Sequence, residues 1–518
     1  MEARPSEATP VSFSHREILV ILSGIMLGML LAGLDQTIVA TALPTIAREL
    51  NGIEHMSWVV SAYLLASTAA TPIYGKLSDL YGRKVMLQAA LAFFLAASVL
   101  CALAATMTQL IVFRALQGLG GGGLIAMAHA TIADVIAPRD RGRYQGYFSA
   151  VFAATSVGGP VLGGFFAQHL TWRWVFWINL PIGLAAILIS NKALGKLATR
   201  RTQREIDYGG AALLVAAVTA LLLVTTWGGV EFPWLSAPII GMSLAGLVLL
   251  VVFGFRERLA REPILPLRLF RNAIFASSSL FSFLTSMAMF GAIVYLPLFM
   301  QLVGGDSASQ SGLLLIPLTG AIVVGAYASG RIVSLTGRYK IFPCLGLAMA
   351  SVALALLSLI TAGTPRLELC AYMALFGIGI GMVMPVAILS VQNAIELRDL
   401  GTGTAAVNFF RSMGGAFGVS LLGSVLLSEL GVRIAGVPGH EALGPHPALD
   451  LLHGETGAIG TLSAATRALL VAGLERSFAV MFLAACALSV LAFLAALFLK
   501  ELPLRTTSAL VAASKKGE

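Results

Sequence analysis

Between Ile18 and Ala47 the chain runs for thirty residues with a single charged side chain, Asp35. A run of about 20 apolar residues spans a bilayer as a helix. Inside hydrocarbon every backbone N–H and C=O must find its partner within the protein, so only helices and closed barrels cross. The stretch therefore reads as a membrane helix with a carboxylate set inside it. A charge at that depth costs at least about 2.5 to 3.5 kcal/mol on insertion scales, and such residues mark ion, proton or substrate paths through a bundle interior.

The pattern then repeats. Charge-poor runs fall near 18–43, 55–74, 85–104, 108–132, 144–167, 172–191, 207–227, 236–255, 272–302, 309–330, 341–361, 368–392, 401–427 and 477–499, fourteen candidate spans in all. With 58% hydrophobic and 11% charged residues and a mean hydropathy of +0.88, the chain is too apolar for a soluble globule. The expected fold class is an all-α polytopic membrane protein in a lipid bilayer. An even span count puts both termini on one side, and 26 of the 34 lysines and arginines fall in segments on that side. The positive-inside rule then makes both termini cytoplasmic. The net charge of +9 would suit a nucleic-acid partner if it were gathered on one soluble face. It is dispersed over short loops, so no such partner is expected.

Arg4 and Arg16 before an apolar stretch, with Ala40-Thr41-Ala42 behind it, imitate a secretory signal. The stretch far exceeds an h-region of about 7 to 15 residues, so the first helix is expected to be retained. Cys101, Cys344, Cys370 and Cys486 lie in or beside apolar runs without metal-ligand spacing. They imply neither disulfides nor a metal site. The longest loop, 428–476, is extracellular on this topology. Its His440, His446 and His453 match no ligand template, and Ile459 to Leu474 is expected to form an amphipathic surface helix.

Comparison of the two halves uncovers a repeat. Gly75-Lys-Leu-Ser-Asp79-Leu-Tyr-Gly82-Arg83 returns as Gly330-Arg-Ile-Val-Ser334-Leu-Thr-Gly337-Arg338, Gly118 and Gly122 as Gly377 and Gly381, and Gly158-Gly159 as Gly414-Gly415. Internal symmetry of this kind belongs to transporters whose two bundles rock about a central site. The organisation expected is a six-helix bundle over 1–191, two inserted helices with basic linkers over 192–271, a second six-helix bundle over 272–499 and a tail over 500–518. Glycines four residues apart let helices approach closely.

Asp35 and Arg114 stand out as a pair. Asp35 lies eight residues before the outer end of its span and Arg114 six residues past the outer start of its own. At 1.5 Å per residue the two sit about 12 and 9 Å from the outer surface. The repeat sets Phe290 opposite Asp35 and Met373 opposite Arg114, so one half alone carries the charges. Burial disfavours a charged carboxylate and a nearby arginine favours it, so a changing Arg114 distance would switch Asp35 between proton uptake and release. The plainer alternative is a permanent ion pair stapling two helices.

Leu34-Asp35-Gln-Thr-Ile-Val-Ala-Thr-Ala-Leu-Pro44 resembles the first-helix motif of the fourteen-helix drug:proton antiporters of the major facilitator superfamily, the EmrB/QacA type. Gly75 to Lys84 is similar to the superfamily loop between helices 2 and 3, Arg114-Ala-Leu-Gln-Gly118 to its helix-4 motif, and Gly159-Pro160-Val-Leu-Gly163-Gly164 to the helix-5 motif of antiporters. Trp172 to Pro181, Leu267 to Asn272 and Asn408 to Gly414 add matches to the branch.

The resemblance implies the major facilitator fold, two six-helix bundles plus two inserted central helices, in a bacterial cytoplasmic membrane. It implies export of small hydrophobic or cationic compounds in exchange for protons, with the proton gradient as energy source and no cofactor. Asp35 would be the protonation and cation site and Arg114 its assistant. Gly75, Asp79, Gly82 and Arg83 would form a cytoplasmic latch against a helix N-terminus in the other half, where the dipole favours a carboxylate; a plain tight turn is the alternative. Gly159, Pro160, Gly163 and Gly164 would bend helix 5 at the bundle interface. Trp58, Tyr63, Phe290, Tyr295 and Asn408 are candidates to line a cavity, with a lipid-facing position open for the aromatics. Arg411 reads better as a helix tether or snorkelling side chain than as an anion site. No deep acid accompanies Asp35, which favours monovalent cations, neutral drugs or a dedicated metabolite over dications.

A monomer is expected, with coupling to a periplasmic adaptor open. A dedicated exporter of one lipid, antibiotic or metabolite fits the sequence as well as broad drug efflux does. A non-transporting sensor would need a signalling domain, and a membrane enzyme would need a nucleophile, base or metal constellation that the seven histidines do not make.

Overall fold

The computed structural model describes residues 15–52, 55–196, 207–228, 232–435, 437 and 463–505. His440, His446 and His453 lie outside them, as do most of the long loop and the tail beyond 505. The described residues form fourteen helices of fifteen residues or more: α1 His15–Glu49, α2 Met56–Tyr81, α3 Arg83–Ala102, α4 Met107–Val135, α5 Pro138–His169, α6 Asn179–Ala193, α7 Tyr208–Trp227, α8 Ala237–Leu259, α9 Ala273–Leu302, α10 Ile316–Thr336, α11 Ile341–Leu357, α12 Arg366–Ala394, α13 Leu400–Ile434 and α14 Ala464–Leu497. Short helices, Trp174–Trp177 and Ala308–Leu314, lead into α6 and α10.

Twelve of the helical segments are long and apolar enough to cross a membrane. The other two are α2 and α11, which is 17 residues long. Several helices outrun the expected spans because their ends are held by protein contacts rather than cut off at the hydrocarbon edge. Thus α2 continues past residue 74 to Tyr81 and α5 begins at Pro138. The expected surface helix is corrected: residues 464–474 are the first turns of α14, continuous with the last span. The long loop shrinks accordingly, since α13 continues to Ile434.

Two bundles are held by separate cores. Ile25, Leu91, Phe94 and Met127 centre one cluster, and Ile38, Ile46, Trp172 and Phe176 another, all from α1–α6 and the turn and short helix that lead into α6. Ala292, Phe299, Leu354, Met373, Phe376 and Phe478 form the counterpart in α9–α14. Without a hydrophobic drive between helices in lipid, close backbone contact does the joining. The repeat shows here in space: side chains at Gly118 and Gly122 would run into the carbonyls of Tyr63 and Ser67 on α2, and side chains at Gly377 and Gly381 into those of Leu318 and Ile322 on α10. The turns after α2 and α10 match too, with Gly82 at φ 91° and Gly337 at φ 74°, backbone that glycine enters without steric cost.

The inserted pair lies across the joint. Leu214, Val218 and Leu222 of α7 and Phe253 of α8 share a core with Leu65 and Ala69 of α2, Ala133 of α4 and Phe275 and Val407 of the second bundle. The ring of Trp227 meets that of Trp58 edge-on at 5.5 Å. The outer face of α8, from Leu244 through Val251 to Phe255, is exposed and suits lipid.

Candidate functional site

Asp35 is fully buried, and its carboxylate is satisfied by three donors from two other helices of its own bundle. Arg114 Nη1 of α4 donates to Oδ2 at 2.5 Å, while Gln117 Nε2 of α4 and Asn179 Nδ2 of α6 both donate to Oδ1 at 2.9 Å. The same two amides also donate to Ser98 Oγ of α3, at 2.6 and 3.1 Å. Arg114, 1% exposed, gives Nε to the carbonyl of Val59 and a second Nη1 contact to Gln117 Oε1 at 2.7 Å. Its guanidinium carbon lies 4.2 Å from the centre of the Tyr63 ring, a cation–π contact on a desolvated side chain.

The pair thus sits inside the first bundle, among α1, α3, α4 and α6, rather than on the wall of an open cavity. Tyr63 belongs to this site: it is buried against Gly118 and Gly121 of α4, not turned to lipid. Gln117 was within reach of sequence reasoning, since it follows Arg114 by three residues and shares its helix face. Ser98 and Asn179 sit on α3 and α6, and no local pattern announces that those helices meet at Asp35.

A second polar cluster closes the end of the bundles that carries the basic loops. Asp79 at the end of α2 accepts from Gly401 N at 3.0 Å, Thr402 N at 2.8 Å and Thr402 Oγ1 at 2.9 Å, so it caps α13 of the opposite bundle. Arg83 holds Asp79 at 2.7 Å and Asp134 of α4 at 2.7 Å. Gly75 faces the methyl of Ala405 and the carbonyl of Gly401, which leaves no room for a side chain. Beside the latch, Arg141 of α5 donates to Gln392 Oε1 of α12 at 2.6 Å, and Gln392 Nε2 donates to the carbonyl of His129 at 3.2 Å. Leu400 to Phe409 are all buried; exposure returns along α13 at Ser412, Leu421 and Ser428. Ser334, the counterpart of Asp79, donates to the carbonyl of Arg331 in its own helix, and among the described residues to nothing in the opposite bundle.

On α5, Gly159 lies against Thr37 and Gly163 against the carbonyl of Ile38, while nothing stands within 4 Å of a side chain built at Gly164; Pro160 sits inside the helix between them. Trp58 packs on the inserted α7. In the second bundle, Tyr295 donates its hydroxyl to the carbonyl of Val419 at 2.9 Å and Phe290, 36% exposed, rests against Gly415. Asn408 is buried with its Nδ2 on the carbonyl of Thr404. Arg411, expected to tether helices or to snorkel, forms no hydrogen bond or ion pair with any described residue.

The Major Facilitator Superfamily model matches residues 25–206 and 208–419. Among similar proteins is an uncharacterised MFS-type transporter of Mycobacterium tuberculosis, 39% identical over 485 residues, covering 94% of this chain and 70% of the relative. The multidrug transporter protein MdtP of Bacillus subtilis is 38% identical, with 80% of this chain and 76% of the relative aligned. Multidrug resistance protein 3 of Bacillus subtilis is 36% identical over 82% of this chain and 83% of its own length. Among solved structures, the proton:xylose symporter XylE in its double-tryptophan form superposes with a TM-score of 0.62 at 14% identity, over 98% of this chain and 100% of that one. That likeness is one of fold.

Proposed function

The chain belongs to the Major Facilitator Superfamily, whose members transport rather than catalyse, and we propose that it is a proton-coupled antiporter exporting hydrophobic or cationic compounds from a bacterial cytoplasm, with fourteen membrane crossings and both termini inside. The relatives named multidrug transporters support efflux. The observation that carries proton coupling is the Asp35–Arg114 pair, sealed inside one bundle with Gln117 and Asn179 also donating to Asp35 and Ser98 accepting from both amides.

The coupling follows from how those donors are deployed. A charged Asp35 holds α1 to α4 and α6 through three donors. A proton on that carboxylate removes the charge that Arg114 neutralises and turns one acceptor oxygen into a donor. The three-helix junction then has to rearrange, and Arg114 needs a new partner. In the arrangement seen here the basic end, assigned to the cytoplasm, is shut by Asp79, Arg83 and Arg141. The bundle is thus poised to release cargo outward and take up a proton, and loss of the proton to the cytoplasm would follow once that end opens. Gly159 and Gly163, seated on α1, carry the rearrangement to α5.

The test is pH-gradient-driven transport of ethidium and tetraphenylphosphonium in everted vesicles. Asp35→Asn is expected to abolish the pH-driven component with the protein still in the membrane at parental amounts. Full retention of coupling would remove Asp35 from the mechanism.

A further inference from the structure

Resting on the export reading, we propose that the second bundle contains a recognition site for an anionic oxygen group of the cargo, built from Arg411 and Asn408 of α13 and the serine face of α9. The cargo class it fits is an amphiphile with an apolar body and a carboxylate or similar acceptor.

Arg411 stands eleven residues into α13, about 16 Å along the helix from Leu400. Among the described residues it has neither counterion nor acceptor, so the tether reading fails. The residue is half-buried, just past the wholly buried stretch from Leu400 to Phe409. An intramembrane arginine without a resident partner is a functional-site signal.

Independent buried groups lie at the same level along α9 and α13. Asn408, one turn below Arg411 and 2% exposed, spends Nδ2 on Thr404 and leaves Oδ1 without a partner. On α9 the hydroxyls of Ser279, Ser282 and Ser286, buried and three or four residues apart, also lack partners. Serines in membrane helices usually bond a carbonyl one turn back, as Ser277 does with Ile274. These three do not. The register brings them level with Arg411: Gly414 lies on the carbonyl of Phe283 and Gly418 on that of Met287, so Ser279 and Ser282 stand beside the turn that holds Arg411. Phe290, over Gly415, supplies an apolar wall above. The division of labour is then electrostatic. The first bundle holds its carboxylate closed within a donor cage, and the second offers a guanidinium and three hydroxyls, groups that receive an oxygen anion.

The test uses one apolar body with two head groups, 2-naphthoate and (2-naphthyl)trimethylammonium, titrated into the full chain in nanodiscs. The parent is expected to bind naphthoate, and Arg411→Gln to weaken it at least tenfold while moving the ammonium compound less than twofold. Arg411→Lys, which keeps the charge but loses the fork, is expected to fall between, and Ser282→Ala with Ser286→Ala to cost naphthoate about fivefold. Those serine variants carry the test if Arg411→Gln does not fold. Equal weakening of both probes, or a parent that prefers the ammonium compound, overturns the proposal. Discriminating binding without pH-driven movement of either probe in vesicles would sink the export reading and leave this site standing.

Discussion

Asp79 of α2 and Thr402 of α13 belong to opposite bundles, yet the carboxylate takes both the backbone N–H and the hydroxyl of Thr402, at 2.8 and 2.9 Å. A carboxylate at a helix N-terminus gains up to about 2 kcal/mol where the site is partly buried, and here that gain exists only while the basic end is shut. Asp79→Asn keeps one acceptor oxygen, loses the charge and presents an NH2 group to donors. The expected result is a several-fold fall in turnover with substrate affinity within twofold, read from initial rates in everted vesicles. Unchanged turnover would reduce the loop to a tight turn.

The buried pair makes a prediction about stability that differs from the one about transport. Removing one partner of a buried ion pair costs about 3 to 5 kcal/mol, because the other charge stays behind, whereas replacing both can be neutral. Arg114→Gln is therefore expected to lower the melting temperature in detergent more than Arg114→Gln combined with Asp35→Asn does. The double variant should regain at least half of the loss and still show no pH-driven transport. If it is no more stable than Arg114→Gln alone, the two side chains do not stabilise each other as the 2.5 Å contact requires.

Two neighbouring glycines of α5 should behave in opposite ways. A side chain at Gly163 would meet the carbonyl oxygen of Ile38 at 2.6 Å, but one at Gly164 meets nothing within 4 Å. Gly163→Ala must push α5 off α1 and is expected to cost more than about 2 kcal/mol of stability, in the range of overpacked cores. Gly164→Ala removes glycine's helix penalty of about 1 kcal/mol and should be neutral or stabilising. Thermal unfolding of the two variants in the same detergent decides it.

What the sequence disclosed follows the reach of each interaction. Helices, insertion and repeat are legible because they are written in runs and in glycine spacings that act along one chain segment. The Asp35–Arg114 pair was legible from depth alone, since offsets along two antiparallel spans can be counted. Ser98 and Asn179 were not, because which faces of α3 and α6 turn inward depends on packing, not on local pattern. Tyr63 stays open between cavity and lipid in the sequence for the same reason, and its burial shows only in the fold. Arg411 reads in the sequence as a tether or a snorkelling side chain because a membrane arginine is usually paired or drawn to the interface. In the fold no described residue supplies it with a counterion.

The connector after α8 crosses the shut end and is tied to both bundles. Lys76 beside the latch meets Glu262 at 2.7 Å, and Arg268 holds Asp399, just ahead of α13, at 2.8 Å. Residues 262 to 268 therefore bridge two elements that must separate when this end opens. The first pair is largely shielded and the second half-exposed, so each is worth more than nothing and less than a buried pair, about 1 kcal/mol apiece. Losing both would shift the equilibrium by about 1 to 2 kcal/mol, a factor of roughly 5 to 30. Lys76→Gln with Arg268→Gln is accordingly expected to raise labelling of an Ala405→Cys reporter, buried against Gly75 in the shut state, from the side of the basic loops by at least fivefold. The same reporter alone sets the baseline. Labelling that stays at that baseline would mean the inserted helices ride on the bundles without restraining the gate.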